Sequence, residues 1–180
     1  KGDYEKAQAE RLDWFEESLN PDLYGQILKH AKPEFKEPFR KQAIEKAFQF
    51  SEPHIALGFL MEIQEFEEGA KFVRVKINEL HGRQYYTLRP TADILCTVDP
   101  LAATLLYRKL IEPVLEQAKS KYYGYAAKDL VTCGILNPKI THWESYPNHE
   151  TYLKTLEENN KRKVSFWADY KSALQKQAAK

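Results

Sequence analysis

Two stretches of the chain interleave cations with aromatic rings. Lys121, Tyr125 and Lys128 recur at spacings of four and three, which places them on one face of a helix, with Lys119 just before. Lys161-Arg162-Lys163 runs into Phe166-Trp167, and Arg108 stands on the helix preceding the first group. Lysine and arginine beside rings suit an acidic peptide through Coulomb attraction, or a single-stranded nucleic acid through stacking. The plainer alternative is that lysine stems cover Tyr125 while Phe166 and Trp167 anchor the last helix. These seven residues, Arg108, Lys121, Tyr125, Lys128, Lys161, Arg162 and Lys163, are the candidate binding set.

No other grouping has the spacing that chemistry requires. Metal sites on a helix use ligands at i,i+3 or i,i+4, and none of His30, His54, His81, His142 and His149 meets that spacing. No GxSxG or Gly-rich cysteine turn presents a nucleophile, and no GxxxxGK[ST] or GxGxxG cradles phosphate. Glu16-Glu17 and Glu67-Glu68 are neighbours along the chain only, and Glu67-Glu68 before Gly69 reads as a solvated turn. Cys96 and Cys133 lie far apart in apolar context, as buried free thiols do. The expectation is therefore no catalytic residue, no metal and no cofactor.

The elements that would carry the binding set centre on residues 99–133. Asp99 is a good N-cap and Pro100 a good first helical residue, so a largely apolar helix begins there. Its polar residues Arg108, Lys109, Glu112 and Glu116 gather on one stripe. Ser120 is placed to cap a second helix that puts Tyr122, Tyr123, Ala126, Ala127, Leu130, Val131 and Cys133 on one face and Lys121, Tyr125, Lys128 and Thr132 on the other. Gly124, Ala126 and Ala127 offer a small-residue seam between the two helices.

Apolar periodicity predicts further helices over residues 3–19, from Pro21 to about Ala31, and from Glu37-Pro38 to about Phe50. A fourth is expected from a Ser51 cap through Phe66. Residues 68–80 alternate like a strand, but no partner strand follows, so a helix ending at a Gly82 C-cap is expected. A helix interrupted at Pro90 leads to Asp99. Gly134 reads as a helix stop, Asn148 as the cap of a helix to about Asn159, and the last helix follows Lys163, fraying beyond Ala173.

With 43% hydrophobic and 13% aromatic residues and seven glycines in 180, the composition is that of a folded helical chain. The net charge of +1 hides an asymmetry, since residues 1–70 carry 15 acidic and 9 basic side chains and residues 71–180 carry 11 and 18. The basic half could attract an acidic partner. There is no leader and no apolar run of the roughly 18 residues that cross a bilayer. A reducing, cytoplasmic setting without a membrane is expected. The first residue is not Met, which points to a fragment of something longer.

The order Asp99-Pro-Leu-Ala-Ala-Thr-Leu-Leu-Tyr-Arg108, Ser120-Lys121, Tyr123-Gly124, Ala126-Ala127, Leu130, Trp143, Pro147, His149, Tyr152, Lys163 and Phe166-Trp167 resembles a bacterial domain family of unknown function. Some members of that family carry a SWIM-type zinc finger ahead of the helical region. The resemblance covers roughly residues 85–170 and implies an all-α, repeat-like fold without supplying an activity. The chain lacks the SWIM Cys and His pattern, so no zinc role is carried over.

These readings converge on a single all-α domain spanning residues 1–180. Its expected form is a degenerate antiparallel helical-hairpin repeat, a TPR-like α-solenoid, with a compact helical bundle as the alternative. The expected role is a non-enzymatic protein-interaction scaffold that takes a protein or acidic peptide. The alternative is a nucleic-acid-binding accessory module using the same basic, aromatic face.

Overall fold

Prolines and side-chain caps start five of the helices. The computed structural model describes residues 2–179, with side chains from Lys6 onward. It is all-α, 82% helical, with ten α-helices and no strand among the described residues. The helices are α1 (Gly2–Ser18), α2 (Pro21–His30), α3 (Pro33–Gln49), α4 (Pro53–Glu62), α5 (Phe66–Lys76), α6 (Tyr85–Val98), α7 (Pro100–Glu116), α8 (Tyr123–Leu136), α9 (His149–Asn160) and α10 (Val164–Ala178). Pro21, Pro33, Pro53 and Pro100 each occupy the first position of a helix, where no N–H is needed. Asn20, Asp99 and Asn148 cap α2, α7 and α9 by accepting first-turn N–H groups through their side chains. The chain divides into two compact units, Lys1–Phe72 and Val73–Lys180.

In the first unit α1 pairs with α2 and α3 with α4. Phe15, Tyr24, Phe39 and Phe59 make a buried ring cluster with centroids 5.4–6.0 Å apart, a spacing at which edge-to-face and offset contacts are favourable. Arg40 grips Glu65 through its Nε and Nη2, the second bond being 2.6 Å. This is the side-on fork by which a guanidinium meets a carboxylate.

In the second unit α7 packs against both α6 and α8, and α10 packs on α8. The core there joins Ile111 and Leu115 of α7, Tyr123, Ala126, Ala127, Leu130 and Val131 of α8, and Phe166 and Tyr170 of α10. Leu153, Leu156 and Trp167 pack against its edge. Helix pairs of this kind fit either a bundle or a repeat.

Several local expectations are corrected. Helix α3 starts at Pro33 and not at Glu37-Pro38, Pro90 interrupts nothing, and Pro38 and Pro90 are each the sixth residue of a continuous helix. The carbonyls deprived of a donor belong to Glu34 and Tyr86, exposed residues in the first turn, where water can serve instead. Ser51 and Ser120 do not cap. Glu52 precedes α4 without a side-chain bond, and Ser120 opens a 3-10 turn, Ser120–Tyr122, ahead of α8. Helix α4 stops at Glu62 because Gln64 takes a left-handed φ of 63°, with Gln64 N–H donating to Met61 O and Glu65 N–H to Leu60 O. That is a Schellman end with glutamine where glycine is usual, which is why no glycine signalled it. Residues 68–80 are helical through Lys76 and then form a 3-10 turn, Ile77–Glu79.

Glycines also play other parts than expected. Gly82 is not in the left-handed region, and a Cβ there would sit 1.7 Å from the Lys109 carbonyl oxygen. That carbonyl is the one Pro113 leaves without its helical donor, and only a glycine backbone can come so close to it. Gly124 has nothing within 4 Å of where a Cβ would be, so the seam rests on Ala126 and Ala127 alone. Gly134 lies inside α8, and a Cβ on it would meet the His149 ring at 3.4 Å.

Candidate functional site

The turn before α8 and the first turns of α6 and α8 raise a row of tyrosines out of the second unit. Tyr85, Tyr86, Tyr122 and Tyr125 are all exposed, Tyr86 at 80% and Tyr125 at 62%. They form two ring pairs. The rings of Tyr85 and Tyr86 lie 4.1 Å apart and those of Tyr122 and Tyr125 6.5 Å apart. The Tyr122 phenol is also among the groups that raise the Tyr85 hydroxyl above its ordinary pKa, after its bond to Tyr86. Lys121 Nζ stands 4.8 Å from the Tyr122 ring centroid and Lys128 Nζ 6.0 Å from that of Tyr125. Lys121, Tyr125 and Lys128 are thus brought together on an exposed surface. Tyr85 and Tyr86 belong to the same row, and only their adjacency to a helix start hinted at it.

The other basic candidates are Lys161, Arg162 and Lys163. They form the turn between α9 and α10, and among the described residues no ion pair or ring contact links them to Lys121, Tyr125 or Lys128. The aromatics that follow are structural. Phe166 is fully buried, and Trp167 Nε1 donates to Asn160 O at 3.0 Å, closing the α9–α10 corner.

Arg108 departs furthest from expectation. The helical wheel groups it with Lys109, Glu112 and Glu116 on a polar stripe, yet it is only 5% exposed. The loop after α8 and helix α9 cover it. Its guanidinium carbon lies 4.1 Å from the Tyr152 ring centroid and 4.9 Å from that of Trp143. Nη1 donates to Pro147 O at 2.8 Å. Among the described residues Nε and Nη2 of Arg108 have no hydrogen-bond partner, and neither do the buried atoms His149 Nδ1, Tyr152 OH and Thr104 Oγ1. No carboxylate pairs with this cation among the described residues. Burial accordingly lowers the Arg108 pKa, raises that of Tyr152, and lowers that of His149 with help from the Arg108 charge. Both causes favour the neutral imidazole of His149.

Elsewhere in the unit buried polar groups are matched. Arg89 donates through Nη1 and Nη2 to the two oxygens of Asp129 at 2.8 and 2.6 Å, and Asp129 is 4% exposed. Burial pushes the Asp129 carboxyl upward while Arg89 pulls it down. Tyr107 OH donates to Asp93 Oδ1 at 2.6 Å. Of the two free thiols Cys133 is buried and pushed up to about 12 by that burial, while Cys96 is half-buried. Among the described residues no group of three or more His, Cys, Asp or Glu side chains converges, and no helix is long and apolar enough to cross a membrane.

A family model described as a family of unknown function, DUF6880, matches residues 1–169. The chain belongs to that family. The match takes in the N-terminal helices as well as the region whose motifs carry the resemblance, so DUF6880 membership rests on nearly the whole chain. Comparison with curated proteins gives no match, and neither does comparison with solved structures.

Proposed function

We propose that this DUF6880 chain is a non-enzymatic protein-interaction domain of the cytoplasm, a degenerate TPR-like helical repeat that holds an acidic peptide across its tyrosine row. The observation behind this reading is the contiguous exposure of Tyr85, Tyr86, Tyr122 and Tyr125 with Lys121 and Lys128 against the rings. Tyrosine gives large contact area at low entropic cost, which makes it frequent in interface centres. Lysines beside it draw and orient carboxylates, mainly by speeding encounter. Nucleic-acid binding is the second reading, because four exposed rings can also stack bases.

The test is fluorescence anisotropy with a labelled Glu-rich peptide containing an aromatic residue, against a labelled single-stranded oligonucleotide. The peptide should bind, and Lys121→Glu with Lys128→Glu should weaken it at least about tenfold at low salt, where surface charge is least screened. Oligonucleotide retention at about 50 mM salt with release by about 200 mM, and no peptide binding, would replace the first reading with the second. Unchanged peptide affinity in the double variant would remove the site assignment.

A further inference from the structure

We infer that Arg108, with Tyr152, His149 and Thr104, forms a binding site for the carboxylate of a small organic acid.

Arg108 leaves one edge unused. Its Nη1 is taken by Pro147 O and its two faces by the Trp143 and Tyr152 rings, so what remains is the Nε and Nη2 edge. Those two N–H groups are parallel and spaced to meet two carboxylate oxygens. The same chain uses that edge in this way at Arg40, whose Nε and Nη2 take the two oxygens of Glu65. At Arg108 no acidic side chain among the described residues does so.

An arginine stays protonated even when burial disfavours it, and a buried cation without a counter-charge is costly. The chain supplies a carboxylate for Arg89 in Asp129 and for Arg40 in Glu65, but among the described residues none for Arg108. One uncompensated cation matches one negative charge. Burial and the Arg108 charge both favour a neutral His149, so a dianionic phosphate would bring more negative charge than the one cation offsets.

Tyr152 OH and Thr104 Oγ1 are hydroxyls able to donate, and His149 Nδ1 either donates or accepts according to its tautomer. Thr104 lies one turn before Arg108 on the same face of α7. His149 and Tyr152 stand three residues apart on the first turn of α9. Trp143, His149 and Tyr152 are only half-buried, so the cluster lies one side chain beneath the surface. The site stands whether or not the tyrosine row binds a peptide.

The experiment is an acetate titration of the full chain labelled with 15N-arginine, following the Arg108 Nε–Hε correlation, which is assigned by its loss in Arg108→Met. Sodium chloride and sodium phosphate at matched ionic strength serve as comparators. Acetate should move the Arg108 signal along a saturating curve while leaving that of Arg89 in place, and chloride should not move it. Tyr152→Phe keeps the ring over the guanidinium and removes only the hydroxyl, so it should raise the acetate midpoint about tenfold, the effect of one hydrogen bond to a charged group. A merely structural Tyr152 hydroxyl would alter stability and leave that midpoint alone. The site is overturned if acetate gives no saturating shift, if Arg89 moves as far as Arg108, or if phosphate saturates at lower concentration than acetate.

Discussion

Arg89 and Arg108 lie on neighbouring helices of the same unit and reach opposite arrangements. Arg89, partly exposed, has both end nitrogens held by the buried Asp129. Arg108, more deeply buried, is given two rings and one carbonyl and, among the described residues, no carboxylate. Removing one partner of a buried pair leaves the other stranded, whereas removing an uncompensated buried charge relieves a desolvation cost. The contrast teaches that burial of a cation here does not by itself mean a structural ion pair. Where the fold needs the charge for its own cohesion it supplies the anion.

The largest effect should come from breaking the matched pair. Arg89→Met strands the Asp129 carboxylate and should cost about 3 kcal/mol in urea unfolding at pH 7, the lower end for a broken buried pair. Arg108→Met should fall within about 1 kcal/mol of wild type, since lost ring contacts and one hydrogen bond oppose relief of desolvation. Equal losses in the two variants would show that Arg108 is a strut like Arg89, and the contrast would collapse.

A smaller effect separates the two sites by pH. The folded-state pKa of His149 lies below its unfolded value of about 6.5. The unfolded chain then binds more protons as pH falls, so the stability contributed by neutral His149 is present above about 6.5 and is lost as pH drops through the folded pKa. His149→Gln should flatten that decline in urea midpoints between about pH 7 and 5. An unchanged slope would detach His149 from the Arg108 cluster.

The smallest effect concerns the turn that leads into the tyrosine row. Ala118 holds φ 49° at the end of α7, with Lys119 N–H donating to Val114 O. Ala118→Gly should stabilise by about 0.5–1 kcal/mol, because glycine carries no left-handed penalty. No gain, or a loss, would place the strain elsewhere in the turn.

Helical periodicity and caps made the architecture legible. Asp99-Pro100 and Asn148 start their helices as expected, and the apolar face of α8 is buried at Tyr123, Ala126, Ala127, Leu130, Val131 and Cys133. The helix over residues 68–76 followed from the lack of a second strand to pair with. Boundaries failed where the physical signal was absent or ambiguous. Gln64 ends α4 without glycine, and Pro38 and Pro90 sit early enough in their helices to leave only a first-turn carbonyl without its donor. The tyrosine row was half legible, since Lys121, Tyr125 and Lys128 share a helix face while Tyr85 and Tyr86 arrive from α6. The burial of Arg108 was not legible. A helical wheel sees only its own helix, and the groups covering Arg108 come from Trp143, Pro147 and Tyr152, more than thirty residues away along the chain.

Thermal or urea unfolding with and without acetate tests the claim about Arg108 most directly. At acetate about tenfold above its Kd, wild type should gain about 1.4 kcal/mol over a chloride control of equal ionic strength, because only the folded chain binds. Arg108→Met should gain nothing. An equal gain in both proteins, or none in either, would contradict a carboxylate site at Arg108.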